Sequence, residues 1–204
     1  MAVRLAEQGR LAEAADAAMA ALMAMTDQDH WSEVECRNTL GSVMSHLGRH
    51  RDAVDEHTRA LDLIGGADHA APAVVALIGL SEAYRVLGET REAAACASEA
   101  LQTSTAVGYR MLDGQAHVAA AQVALVEGRA AAAATHARQA IEIHHAIGHR
   151  LGEARAKVVL GHADSCERTK HWQHAFAIFE QCGAKREATA TIGLLRDSTA
   201  EALD

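Results

Sequence analysis

Residues 84–101 read Tyr84-Arg-Val-Leu-Gly-Glu-Thr-Arg-Glu-Ala-Ala-Ala-Cys-Ala-Ser-Glu-Ala-Leu101. An apolar helical end meets Gly88, and after the polar pair Glu89-Thr90 a run of strong helix formers begins. Such text spells a helix, a glycine-centred turn and a second helix. Residues 44–61, Met44-Ser-His-Leu-Gly-Arg-His-Arg-Asp-Ala-Val-Asp-Glu-His-Thr-Arg-Ala-Leu61, place their glycine and two later alanines at the same offsets.

In register, the turn glycines are Gly9, Gly48, Gly88 and Gly128, spaced 39, 40 and 40 residues apart. Five residues after each stands Ala14, Ala53, Ala93 or Ala133, and extension of the column to Ala175 puts Lys170 at a turn that has lost its glycine. Seven residues further on are Ala21, Ala60, Ala100, Ala140 and Cys182; seven before the turn are Gly41, Ser81, Ala121 and Ala163. Alanine is abundant enough that one such column carries little weight, but three small-residue columns sharing a glycine register carry much more. Two antiparallel helices approach to about 8 Å only where neither presents a bulky side chain at the crossing. The glycine supplies the left-handed conformation that closes a helix.

Composition agrees. Half of the 204 residues are apolar, only 3% are aromatic, and a single proline, Pro72, interrupts nothing but the first turn of a helix. Alternating β-branched runs are missing, so the class is all-α. A formal net charge of −8 argues against a duplex nucleic-acid partner, which needs a Lys/Arg-rich face. The start, Met1 to Ala14, is amphipathic without a signal-type apolar region, and the longest strictly apolar run, Ala17 to Met25, is too short for a bilayer span. The expectation is a cytoplasmic chain that contacts neither membrane nor nucleic acid directly. Cys36, Cys96, Cys166 and Cys182 are widely spaced with no CxxC, which suits reduced thiols. Cys96 and Cys182 fall on packing columns and read as small core residues.

The chain resembles the tetratricopeptide repeat: Leu40-Gly41, Tyr84, the glycines Gly48, Gly88 and Gly128 and the alanine columns match that family's pattern over nearly the whole length. It departs from the family's usual period of about 34 residues, because the second helix of each pair is extended, as in Thr135 to Gly148. The helices expected are 1–8, 11–25, 30–47, 50–64, 70–87, 91–107, 110–127, 130–147, 150–168, 171–182 and 184–199, with Thr90 as an N-cap and Gly65-Gly66 in a junction. The resemblance implies one right-handed α-α superhelix over residues 1–204, about five hairpins with a lone C-terminal helix covering the last apolar face. Only two turns of helix precede Gly9, which points to an excised piece of a longer protein; a true start at Met1 points instead to a homodimer through the bare first helix.

In that family ligands lie on the concave face made by the first helices. Its groove positions fall here on Glu35, Asn38, Ser42, Ser45 and His46; Ile78, Glu82 and Arg85; Gln115, Val118, Gln122 and Leu125; and Lys157, Leu160, Asp164, Glu167 and Arg168. The bland alternative is a solvated face, since every amphipathic helix has a polar side. Asn38, Ser42, His46, Glu82, Arg85, Gln122, Asp164, Glu167 and Arg168 are the candidate ligand-binding residues. Negative charge at Glu82, Asp164 and Glu167 disfavours the two-carboxylate clamp of chaperone-binding members.

Thirteen histidines raise a metal question: His162 and Cys166 are i,i+4, and His171 and His174 are i,i+3 on the next helix. Cys166 occupies the inward position of Tyr84, His174 adjoins a core alanine, and the spacing matches no zinc signature, so no metal site is expected. His144-His145 with His149 reads as cationic side chains at a helix C-terminus. Trp31 and Trp172 read as anchors between neighbouring pairs. No G-x-S-x-G, P-loop or dinucleotide motif occurs, and the expectation is a non-enzyme without cofactor.

The stretch Ala175-Phe-Ala-Ile-Phe-Glu-Gln-Cys-Gly-Ala-Lys-Arg-Glu-Ala188, with the 40-residue period, looks like the C-terminal sensor region of large actinobacterial regulators of the Streptomyces antibiotic regulatory protein type. That likeness implies a protein or peptide partner, including the DNA-binding and ATPase domains of the same polypeptide, or a small-molecule ligand. Two other readings are a stand-alone receptor for a small molecule or signalling peptide, and a metal-dependent enzyme through His162 and its neighbours.

Overall fold

The computed structural model describes residues 10–25, 30–64 and 70–201, without the side chains of 199–201. The expected helix at 1–8, the Gly9 turn and the Gly65-Gly66 junction lie outside these. Among the described residues there are ten helices and no strand: α1 (Leu11–Ala24), α2 (His30–His46), α3 (His50–Leu63), α4 (Ala70–Leu87), α5 (Thr90–Val107), α6 (Arg110–Val126), α7 (Ala130–Ala146), α8 (Arg150–Ala163), α9 (Arg168–Cys182) and α10 (Lys185–Glu201). The chain divides into two compact units, Met1–Val107 and Gly108–Asp204. In unit 1, α2–α3 and α4–α5 are antiparallel hairpins, α1 lies on α2, and α4 packs on both α3 and α2. In unit 2, α6–α7 and α8–α9 are the hairpins, α8 packs on α7 and α6, and α10 lies on α9.

The repeated turn has one chemical form. Gly48, Gly88 and Gly128 have φ of 77°, 81° and 73°. The residue after each donates its backbone N–H back into the helix just ended: Arg49 to Met44 O (2.9 Å), Glu89 to Tyr84 O (2.9 Å) and Arg129 to Ala124 O (2.8 Å). This six-to-one bond satisfies an orphan carbonyl, and the donor's own carbonyl opens the next helix, as in Ala53 N–H to Arg49 O. Glu89, not Thr90, therefore stands at the cap position of α5.

Ala14, Ala53, Ala93, Ala133 and Ala175 are completely buried, as are Ala60, Ala100 and Ala140 one column on. Cys182 breaks its column and is exposed, closing α9 beside Gly183. Cys96 is half-buried and its thiol is pushed up to about 11 by burial, so it is not a reactive nucleophile at neutral pH.

The fifth turn differs from the expected one. α8 stops at Ala163 and α9 starts at Arg168, so the turn precedes Lys170. A lysine cannot take the left-handed cap cheaply; instead the Asp164 carboxylate accepts the N–H groups of Cys166 (3.1 Å) and Glu167 (3.3 Å), ending one helix and starting the next. Ala175 keeps its buried place because α9 gains an extra turn at its start.

Glycines inside helices mark close approaches. A Cβ on Gly41 of α2 would lie 2.7 Å from His57 Nε2, and one on Gly79 of α4 would lie 2.5 Å from His57 Cε1. The His57 ring of α3 thus fills a notch in both neighbouring helices. Unit 2 repeats the device, with His144 of α7 against Gly114 of α6 (2.6 Å) and Gly152 of α8 (2.7 Å), and Trp172 of α9 against Gly161 of α8 (2.5 Å). Trp172 is buried and donates its indole N–H to Val158 O (3.0 Å), whereas Trp31 is 46% exposed. α4 is the one described helix long and apolar enough to cross a membrane. Its Val74, Ala76, Leu77, Leu80 and Ala83 are buried within unit 1, as in the core helix of a folded domain.

Candidate functional site

The first-helix faces carry the residues that sequence assigned to ligand binding, and the structure sorts them. Asn38 is buried; its amide nitrogen donates to Pro72 O (3.0 Å) and its oxygen faces His57 Nδ1 (3.0 Å). Because that oxygen can only accept, His57 carries its proton on Nδ1. Asn38 therefore bridges α2, α3 and α4 and is not open to a ligand. Leu160, Val118 and Leu125 likewise pack with Ala121 and Ala137 in the core of unit 2.

Asp164 and Glu167 fall in the turn, not on a helix face. Asp164 caps it and also lies 3.6 Å from the Arg138 guanidinium; Glu167 pairs with Lys170 at 2.9 Å. The Arg168 guanidinium stacks 5.7 Å above the Trp172 ring. Asp164 ties the α8–α9 turn, while these contacts of Glu167 and Arg168 are made within the start of α9. Asp164→Ala is expected to lower stability by about 1 kcal/mol, the usual worth of such a cap, read as a shift in the urea midpoint, whereas Glu167→Ala should change it little.

What stays on the first-helix faces is smaller. In unit 1, Ser42 is half-buried with its hydroxyl turned back to Asn38 O (2.9 Å), His46 is exposed at the end of α2, and α4 offers exposed Glu82 and half-buried Arg85. In unit 2, Gln122 is half-buried on α6. Ser45 Oγ and Arg85 Nε are buried with no hydrogen-bond partner among the described residues.

The histidines prove mostly structural. His57 and His144 are completely buried, and burial pushes both down to about 4, so both are neutral at pH 7. His144 is thus not the cationic helix end that its sequence position suggested; its Nδ1 meets His149 Nδ1 at 3.1 Å. His117 and His136 meet the same way at 3.0 Å, where the α2–α3 hairpin has the Arg37–Glu56 ion pair at the same register. Desolvation lowers both imidazoles, which suits a neutral N–H···N bond better than a charged pair. His162 lies edge-on to Trp172, ring centroids 5.0 Å apart. Cys166 is exposed in the turn and not on a helix with His162, so the i,i+4 metal spacing is never made. Among the described residues no group of three or more His, Cys, Asp or Glu side chains is placed to hold a metal ion.

The interior histidines were not foreseen from sequence. The available signal was the glycines at 79, 114 and 152, which weaken a helix by about 1 kcal/mol each and answer no turn.

No family model and no curated protein matches the chain. Solved structures do share its architecture. The apo form of RapI superposes with a TM-score of 0.71 at 14% identity, over 93% of this chain and 72% of that one. The fold is a tetratricopeptide-like helical repeat. A Rap protein complexed with competence and sporulation factor gives 0.69 at 18% identity, over 95% of this chain but only 60% of its own. MamA gives 0.55 at 20% identity, over 90% and 97%. At these identities the likeness is one of fold.

Proposed function

We propose that this chain is a non-catalytic binding module that takes a polypeptide on the first-helix faces of its hairpins, acting in the cytoplasm as the sensor region of a bacterial transcriptional regulator. The observation that carries the binding role is the Rap complex: that protein, crystallised with competence and sporulation factor, shares the fold over 95% of this chain. The regulator role rests on the likeness of Ala175–Ala188 and the 40-residue period to large actinobacterial regulators. In that role binding of a protein, peptide or small molecule releases a DNA-binding and ATPase portion that the module restrains.

A helix-turn-helix or nucleotide-binding region encoded upstream of Met1 is the expected genetic context. Produced separately, that region should bind this chain saturably in calorimetric titration, and a polypeptide occupying the α2/α4 face should weaken the interaction. A titration with no heat at high micromolar concentration would remove the regulator role.

A further inference from the structure

Two imidazoles meet across the α6–α7 hairpin in a way that a plain cross-link does not need. His117 Nδ1 lies 3.0 Å from His136 Nδ1, and only one proton can stand between them. Two periods earlier the same positions hold Arg37 and Glu56, a cation against an anion. Here both partners are bases, and the lone pair of one is aimed at the N–H of the other. Desolvation favours the neutral form of both rings, so protons compete weakly for those lone pairs at neutral pH. Unlike His57 and His144, which are completely buried, these two side chains are half-buried and reach solvent.

We propose that His117 and His136 chelate a divalent ion that prefers imidazole nitrogen, of the zinc or copper(II) kind, through their Nδ1 atoms, with water completing its coordination. Two nitrogens bound at about 2.0–2.1 Å to one tetrahedral or square-planar ion stand about 2.9–3.4 Å from each other. The pair already has that spacing. The rings meet nearly head to head, with centroids 5.3 Å apart and planes inclined by 36°. Tilting both toward solvent points the two lone pairs at one ion while the helices stay in place. The proton that joined the pair moves to Nε2 of its own ring, so both rings coordinate as neutral Nε2–H tautomers. Asp113, one turn before His117, adds a negative potential that favours a cation. Arg129 acts on His136 in the opposite sense, but its guanidinium is paired with Glu127. The site shares no residue with His162 and Cys166 and does not depend on the polypeptide-binding reading. Once occupied, it fastens α6 to α7 and ties the stability of unit 2 to the supply of metal.

Calorimetric titration of the chelator-stripped whole chain with zinc chloride at neutral pH tests this. Wild type should take up one ion saturably at micromolar concentration. His117→Asn and His136→Asn should each weaken that uptake about tenfold or more. His149→Gln, which breaks the other imidazole pair, should leave it unchanged. Uptake should also weaken as the pH falls through the imidazole range, because protons then take the ring nitrogens. In wild type carrying nitrogen-15 histidine, zinc should shift both Nδ1 signals of this pair and leave both Nε2 atoms protonated. That reading needs no variant, so it stands even where a substitution disturbs folding. Zinc should raise the urea midpoint of wild type and not that of His117→Asn. Uptake that survives both Asn variants, or ring signals that zinc leaves in place, would overturn the site. So would the lack of saturable uptake below millimolar zinc.

Discussion

Gly79→Ala should destabilise the wild-type chain and stabilise the His57→Ala chain. In the wild type the new Cβ would sit 2.5 Å from His57 Cε1, and the ring cannot step aside: it is fully buried, tied to Asn38, and backed by Gly41 on the other helix. Overpacking of this kind costs about 3 kcal/mol, offset by about 1 kcal/mol of helix propensity, for a net loss of about 2 kcal/mol. His57→Ala alone loses the ring's packing and strands the Asn38 oxygen, at about 3 kcal/mol. With the ring gone, the Gly79→Ala methyl enters the space it left, and only the propensity gain remains. Urea unfolding of the four chains, with amide exchange in α2–α4 as the local reading, gives the coupling energy. The same sign for Gly79→Ala in both backgrounds would dismiss the notch.

Acidification should weaken unit 1 through the same ring. His57 has a folded value near 4 against 6.5 for the free side chain. Above pH 6.5 both states are neutral there and the residue adds no pH dependence. Between 6.5 and 4 the unfolded chain binds a proton that the folded chain refuses, so stability falls by about 1.4 kcal/mol per pH unit, towards a total of about 3 kcal/mol. Below 4 the loss levels off. His144, also held near 4, acts in the same direction in unit 2. The measurement is the difference between wild type and His57→Leu, because several other imidazoles are also lowered. The difference in urea midpoint should shift steadily from pH 7 to pH 4.5; a constant difference would mean the ring is already protonated or solvated.

Most of the fold was legible because it is written locally. A glycine column, alanines at fixed offsets and helix formers between them specify hairpins without reference to anything far away, and Ala53, Ala93 and Ala133 are buried as that column requires. The reading failed where one residue departs from the repeat. Lys170 was aligned to a glycine, but the chain turned at Asp164, whose side chain supplies a stop that a small-residue pattern does not record. Cys166 was misplaced with it, and Asp164, Glu167 and Arg168 fall in the turn or at the start of α9 and not on the face of α8.

The site was less legible, since a face position says which way a residue is presented and not what it meets. Asn38 and Ser45 are both groove positions on α2, yet Asn38 is spent on Pro72 and His57 while the Ser45 hydroxyl has no partner among the described residues. No spacing rule separates them. From the sequence alone came the all-α class, the 40-residue period and the burial of the small columns, because backbone propensity and helix geometry act over a few residues. Only the tertiary structure decided that His57 and His144 are neutral interior wedges and that Arg85 Nε is buried without a partner among the described residues. Burial, tautomer and hydrogen-bond satisfaction depend on side chains brought together from separate helices.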